Sequence, residues 1–465
     1  MASGSFVEFL ETLRGALPAN RIESSLQTLR ENSRDLGQLI GEAIPPRAVL
    51  YPESVEEVRE IMRTATRYRV PIISRGAGSG VSGGVHVLGS AVVLNLSRMN
   101  RILNVSPENE TATVEPGVIN HDLNAAVEEF GLMYAPDPAS YRISTIGGNI
   151  ATNAGGLRCA KYGVTRESVL ALDVVLSDGR LIHVGRQSFK GVAGYDLVGL
   201  FTGSEGTLGV VVGATVRLRY LPVQQRDLFC VFDSVEAAVR GLQHIAQARV
   251  QPAILELVDE ATMRVLDQFY GTSVSREGGA LLLIRLDGYG ADAEERAIRQ
   301  VLGAVALRLS VAEDEFATTL IEMRRTSRGD TQDDAYRMGE DVAVPKGEML
   351  RFVRQLNSIA LRHEVNLRLI AHAGDGNFHP TFFVDPSTGQ AGLSRLNAAL
   401  EESVREALRL GGTITGEHGV GSVKLAWLEW EQEPDVISLQ HALKEVLDPL
   451  GILNPGKAIP DLSAR

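Results

Sequence analysis

Behind Ser54, apolar side chains recur at Val55, Val58, Ile61, Met62 and Ala65, the spacing that lines one face of a helix. Ser54 followed three residues later by Glu57 is a capping box, so a helix is predicted to run to about Arg69 and to stop at Pro71. Ile72-Ile73 then reads as a short buried strand that opens onto a glycine-rich turn from Arg75 to Gly84. Short β-rich runs follow at Ala91–Leu96, Arg101–Val105 and Thr111–Val114, then a helix near His121–Phe130 and a hairpin around Ser177-Asp178-Gly179. This order is no regular βαβ repeat, and no helix opens inside the first glycine turn. The dinucleotide fingerprint of a Rossmann unit is therefore not met.

Near Leu221-Pro222 the rhythm changes. Strands are predicted at Leu228–Phe232, Ala253–Val258 and Leu281–Leu286, alternating with helices at Val235–Ala248, Ala261–Phe269 and Ala291–Leu307. Such alternation with apolar strands reads as a second layered domain with helices and strands, and places a boundary near residue 222. That domain continues through a helix at Lys346–His363, a strand at Asn366–Ala371 and a helix at Leu393–Leu410, and a last helix spans Asp435–Leu447.

Composition sharpens this picture at one point. Of 465 residues 47 are glycine, above the usual roughly 7%, and 25 of them fall in residues 76–89, 147–163, 191–213, 371–380 and 411–421. Clusters of this kind mark tight turns or close approach of a ligand to backbone. The net charge of −12 argues against nucleic acid or anionic membrane as a general partner. Cys159 and Cys230, the two cysteines, are too few for a disulfide framework or an iron–sulfur cluster and fit a reducing compartment. The first 17 residues lack a secretory pattern and no apolar run is long enough to span a membrane. A cytoplasmic protein is expected.

The candidate chemistry lies in the glycine clusters. In Arg75-Gly76-Ala77-Gly78-Ser79-Gly80-Val81-Ser82-Gly83-Gly84 successive backbone N–H groups can form a nest for phosphate. Pro136-Asp137-Pro138-Ala139-Ser140 leads into Ser144-Thr145-Ile146-Gly147-Gly148-Asn149-Ile150-Ala151-Thr152-Asn153-Ala154-Gly155-Gly156, and Gly203-Ser204-Glu205-Gly206-Thr207-Leu208-Gly209-Val210-Val211 follows. Three such loops could line one long cofactor. Farther on, His372-Ala373-Gly374-Asp375-Gly376-Asn377-Phe378-His379 holds two histidines that a straight strand would put on opposite faces, but that a glycine turn can bring together. Two histidines and a carboxylate make a familiar catalytic zinc set, and Gly416-Glu417-His418-Gly419-Val420-Gly421 offers the carboxylate.

These loops, with Lys161-Tyr162-Gly163 and the closing Asn454-Pro455-Gly456-Lys457, resemble the FAD-linked D-2-hydroxyacid dehydrogenases, a family that includes the flavoprotein of bacterial glycolate oxidase and D-lactate dehydrogenase. The resemblance runs from about Pro45 to Pro460. It implies an α+β fold: a vanillyl-alcohol-oxidase-type (PCMH-type) FAD-binding domain of two subdomains over residues 1–222, and an α/β cap domain with a largely antiparallel sheet over 223–424. Residues 425–465 would be a helix and tail that return Asn454 to the FAD domain. The first turn would hold the FAD pyrophosphate, and the second and third loops would flank adenine, ribityl and flavin. The first turn holds no histidine, so FAD is expected to be noncovalent; His86, just beyond it, reads as structural.

By the same resemblance His372, His379 and Glu417 match ligands of a divalent metal, zinc being the metal expected, and His418 matches the base that takes the substrate hydroxyl proton. The residues themselves leave His379 open as an alternative base. Arg324 matches the arginine that meets the substrate carboxylate, with Arg325 beside it as the alternative and Ile321 where the family often has tryptophan. Relatives acting on dicarboxylates carry a lysine where this chain has Gly339-Glu340-Asp341, an acidic stretch that disfavours a second carboxylate, so a small monocarboxylate, glycolate or D-lactate, is the expected substrate. The family's glycolate oxidase systems add an iron–sulfur subunit and a second flavin-domain subunit, through which the chain could meet a membrane; a homodimer is left open. The remaining alternatives are a flavin transferase like alkyl-glycerone-phosphate synthase and a nonenzymatic flavin-binding subunit.

Overall fold

The computed structural model describes residues 3–37, 44–311, 320, 321, 324 and 335–460. The chain divides into two compact units, one made of Met1–Gly155, Val164–Leu221 and Glu417–Arg465, the other of Gly156–Gly163 and Pro222–Gly416. The first boundary falls at Leu221/Pro222. The second falls at Gly416/Glu417 and not at 424/425, because Ser422 and Val423 donate their backbone N–H groups to the Ser82 carbonyl, each at 3.1 Å.

Among the described residues, two large apolar cores organise the first unit. In one, parallel strands Val49–Leu50, Val92–Asn95 and Ile72–Arg75 form a small sheet edged by antiparallel Ile22–Glu23. The helix Val55–Tyr68 buries Val58, Ile61, Met62 and Ala65 against it. Ser54 caps that helix by accepting the Glu57 N–H at 3.3 Å, but the Glu57 carboxylate turns back to the N–H of Glu53, at 2.6 Å, and to Arg21. The reciprocal half of the capping box is thus displaced by one residue. In the other core, five antiparallel strands run in the order Ile102–Ser106, Thr111–Val114, Val210–Arg217, Val169–Val175 and Leu181–Gly185, packing Val114, Leu123, Ile146, Ile150 and Val216.

The second unit is built on one sheet in which all strand pairs are antiparallel. Its order is Arg308–Val311, Gln225–Phe232, Ala280–Asp287, Ile254–Asp259, Asn366–His372, Asn377–Val384 and Tyr336–Gly339, with Val342–Ala343 also pairing Asn377–Val384. Helices Val235–Gln247, Ala291–Leu302, Met349–Arg362 and Gly389–Arg409 pack their apolar faces inward. The third of the expected helices, Ala291–Leu307, ends at Leu302, because the chain turns at Gly303 and enters the edge strand at Arg308. Among the described residues no helix is long and apolar enough to cross a membrane.

Candidate active site

The first glycine turn is held by its carbonyls. Gly80 accepts from the N–H of Leu36 at 2.9 Å, Gly83 from the N–H of His86 and the hydroxyl of Ser422, both at 3.2 Å, and Gly84 from the amide of Asn454 at 3.0 Å. None of the N–H groups from Ala77 to Gly84 donates to a described residue. A peptide plane sets its C=O and N–H on opposite sides, so carbonyls tied outward leave a run of N–H groups to face an anion. A side chain at Gly80 would meet only the Asp35 carboxylate, at 3.6 Å, whereas one at Gly76 would strike Thr145 and one at Gly83 would strike Ser422. The turn thus fits a pyrophosphate, and the backbone next to Gly80 has room for it.

The other two loops meet this turn within the same unit. Thr145 caps the short helix Ile146–Thr152 by accepting the Gly148 N–H at 3.1 Å. Asn120 donates to the Pro136 carbonyl at 3.0 Å and to Asn149 at 3.2 Å, joining the loop at Pro136-Asp137 to that helix. Glu205, at φ +51°, donates its N–H to the Ala151 carbonyl at 2.8 Å. Asn454 bridges the first and third loops, since its amide donates to both the Gly84 and the Glu205 carbonyls. Arg75 braces the framework, since its guanidinium donates to the Arg34 carbonyl at 2.8 Å and to that of Glu31 at 3.4 Å, and burial lowers its pKa. Asn153 and Ala154 accept from Arg166 and Thr165 and close the second loop.

Behind the turn lies a group of buried charges, of which Asp35 was not singled out by sequence reasoning. His86 lies 2.8 Å from Asp35, both buried, and Lys457 donates to the His86 carbonyl at 2.7 Å. Burial depresses the Lys457 pKa to about 8. Burial lifts that of Glu205 to about 6, against the opposing pull of the Val420 and Gly421 N–H groups and of Lys424 and Lys457.

In the second unit, His372 ends one strand and Asn377 begins the next. The hairpin register sets His372 opposite Asn377 and Ile370 opposite His379. Cross-strand partners share a face, as do residues two apart, so the turn puts both histidines on one side of the sheet. Their ring centroids are 5.1 Å apart with planes at 90°, and a nitrogen of each lies within 4.8 Å of one on the other. The Asp341 carboxylate is also within 4.8 Å of a His379 nitrogen. It accepts from Asn377 Nδ2 at 2.6 Å and from the Thr415 hydroxyl at 2.9 Å. Asp341 is thus buried in a hydrogen-bond network and does not present a charge to solvent.

Glu256 is fully buried on the neighbouring strand, directly across from His372. His372 Nδ1 lies 2.7 Å from Glu256 Oε1, and Arg324 Nε lies 2.7 Å from Glu256 Oε2. Arg324 is buried as well, while Arg325 lies outside the described residues. A carboxylate in the middle of the apolar run from Ile254 to Val258 was the available signal for Glu256. With Nδ1 engaged by Glu256, Nε2 is the nitrogen through which His372 could bind a metal, and paired imidazoles are a donor set that suits zinc or a similar cation.

Lys161 and Tyr162 serve the second unit rather than the FAD loops. Both bond to the Asp287 carboxylate, Tyr162 at 2.7 Å, because residues 156–163 pack with that unit. Glu417 and His418 open the C-terminal segment of the first unit, with His418 Nε2 4.0 Å from Glu417 Oε1. The glycines of 411–421 divide between two roles, for a side chain at Gly416 would strike Asn377 and Asp341, whereas one at Gly421 would strike the Ser82 carbonyl.

Two family models match the chain: FAD binding domain over residues 46–185, and FAD linked oxidases, C-terminal domain, over residues 221–458. The glycolate oxidase subunit GlcD of Bacillus subtilis is 41% identical over 418 residues, covering 89% of this chain and 88% of the relative. The D-lactate dehydrogenase of Archaeoglobus fulgidus is 34% identical over 429 residues, covering 90% of this chain and 94% of the relative. Among solved structures, p-cresol methylhydroxylase with substrate bound superposes with a TM-score of 0.80 at 18% identity, covering all of this chain and 98% of the other.

Proposed function

The chain belongs to the FAD-linked oxidases, and from that membership we propose that it is a flavoenzyme that oxidises a small D-2-hydroxy acid, glycolate or D-lactate, to the 2-oxo acid. The observation that carries this reading is the hairpin that sets His372 and His379 on one face, beside buried Glu256 and Arg324. When bound, FAD supplies the hydride acceptor and a divalent cation supplies a Lewis acid for the substrate oxygens.

The chain's own residues would do the rest. The N–H groups of Ala77–Gly84 hold the pyrophosphate of noncovalent FAD, with the loops at 136–140, 144–155 and 205–211 and Asn454 around the remainder. His372, His379 and Glu417 hold the cation; Glu417 follows by two residues Thr415, which is anchored on Asp341. His418 takes the hydroxyl proton on a ring nitrogen, a role suited to neutral imidazole near pH 7. Arg324, ion-paired at Nε with Glu256, would meet the substrate carboxylate with its terminal nitrogens. Gly339, Glu340 and the hydrogen-bonded Asp341 offer no cation for a second carboxylate, which favours a monocarboxylate. Two cysteines cannot ligate an iron–sulfur relay, so electrons would leave the flavin to a partner subunit or another acceptor.

The test is an anaerobic absorbance spectrum of the FAD-loaded protein with a panel of 2-hydroxy acids. Glycolate or D-lactate is expected to bleach the flavin, more slowly after chelation. Comparable bleaching by D-2-hydroxyglutarate would overturn the substrate reading, and no bleaching by any member would overturn the activity.

A further inference from the structure

Glu256 touches both His372 and Arg324. Its two oxygens are divided between them, Oε1 at 2.7 Å from His372 Nδ1 and Oε2 at 2.7 Å from Arg324 Nε. It is fully buried, 0% exposed, and its place across from His372 is fixed by the register Glu256↔His372, Leu257↔Ala371, Val258↔Ile370. Two rigid strands therefore set the carboxylate, and no flexible loop intervenes.

We propose that Glu256 is a positioning residue that couples the metal ligand His372 to the substrate-facing Arg324. As a carboxylate it can only accept, so the Nδ1 facing it carries the proton and the lone pair sits on Nε2. That tautomer is the one a cation at Nε2 requires, and outer carboxylates of this kind raise ligand basicity and fix ring orientation. The second oxygen forms an ion pair with Arg324 at Nε, which ties the position of the guanidinium charge to the same carboxylate. A shift of Glu256 would thus disturb both the metal ligand and the carboxylate clamp. The proposal rests on the reading that His372 binds a divalent cation.

The experiment measures zinc affinity by chelator competition in the full chain loaded with FAD, with flavin content and melting temperature followed in parallel. The variants are Glu256→Gln, Glu256→Leu and His372→Ala. Glu256→Leu is expected to weaken zinc binding by about 10- to 100-fold, the range typical of outer-shell partners. Glu256→Gln, which keeps an acceptor for Nδ1 but loses the charge, is expected to fall between it and the unaltered protein. Flavin content is expected to stay constant in both. Should Glu256→Leu fail to fold, the Gln variant alone decides, since it keeps shape and volume. If His372→Ala loses zinc while both Glu256 variants bind it as tightly as the unaltered protein, the positioning role is overturned and the metal reading survives. If the unaltered protein binds no zinc, or His372→Ala binds it equally well, the metal reading fails and takes this proposal with it.

Discussion

The carboxylate of Glu205 accepts the backbone N–H of Gly421 at 2.8 Å, and that of Val420 at the same distance, so that a buried acid on the third loop pins a segment more than two hundred residues away. Burial raises its pKa from 4.5 to about 6. The folded state thus holds the proton more tightly than the unfolded state, and stability from this group is complete below pH 4.5 and lost as pH rises through about 6. The shift corresponds to about 2 kcal/mol. Comparing urea unfolding of the protein with that of Glu205→Gln, both with saturating FAD, isolates the term from the other carboxylates. The stability difference is expected to move by about 2 kcal/mol in favour of the Gln variant between pH 4.5 and pH 7; a difference independent of pH would refute the assignment.

Gly80 and Gly421 differ in what a side chain would meet, and so separate a glycine assigned by the proposal to the cofactor from one the chain itself requires. Alanine at Gly421 must adopt φ +53° and place its methyl on the Ser82 carbonyl, neither of which a side-chain movement relieves. Gly421→Ala is expected to destabilise the protein by about 1–3 kcal/mol. Alanine at Gly80 meets only Asp35, at 3.6 Å, so Gly80→Ala should leave the melting temperature of the FAD-free protein unchanged. It should weaken FAD binding by about tenfold or more, roughly 1.4 kcal/mol, because the methyl intrudes where backbone approaches the pyrophosphate. Unchanged FAD affinity in Gly80→Ala would remove the turn from the cofactor site.

The local part of this architecture was legible because it depends on periodicity and caps. Ser54 with its apolar row gave the helix Val55–Tyr68, and the apolar runs from Leu228, Ala253 and Leu281 gave three adjacent strands of one sheet. The histidine pair was legible as a turn problem, and the register of the hairpin solves it. What stayed hidden depends on pairing across distance. Glu256 meets His372 only because two strands 116 positions apart lie side by side. The Ser422 and Val423 backbone bonds to Ser82 involve no side-chain identity at all, so composition could not place the second boundary at Gly416/Glu417. The hydrogen-bond network that buries Asp341 was also hidden, because its partners Asn377 and Thr415 are remote in sequence.

Nδ1 of His372 is engaged by Glu256, so on the proposed reading, with the metal at Nε2, replacing His372 removes a ligand as well as a hydrogen bond. His372→Ala is expected to copurify with markedly less zinc and to lose more activity than the roughly 100-fold upper range of outer-shell changes. Treating the unaltered protein with a strong chelator should have the same effect, reversed by added Zn²⁺. Full activity after complete metal removal, verified by elemental analysis, would rule out a catalytic cation.

His418 and His379 are the two candidates for the proton acceptor, and they part on what else they hold. His379 shares a face with His372, and its nitrogens lie within 4.8 Å of both His372 and Asp341, a setting for a ligand. His418 is partly exposed, with its side chain at 34%, and its Nε2 stands 4.0 Å from Glu417. On the proposed reading of His418 as the base, His418→Asn should retain zinc, FAD and substrate binding while flavin bleaching slows by about 10²- to 10⁴-fold, the usual contribution of a positioned base. His379→Asn should instead lose zinc along with activity. Rapid-mixing absorbance gives the bleaching rate, and metal analysis of the same samples gives occupancy. Zinc loss in the His418 variant would make it a ligand, whereas slow bleaching with zinc retained in the His379 variant would transfer the base role to His379.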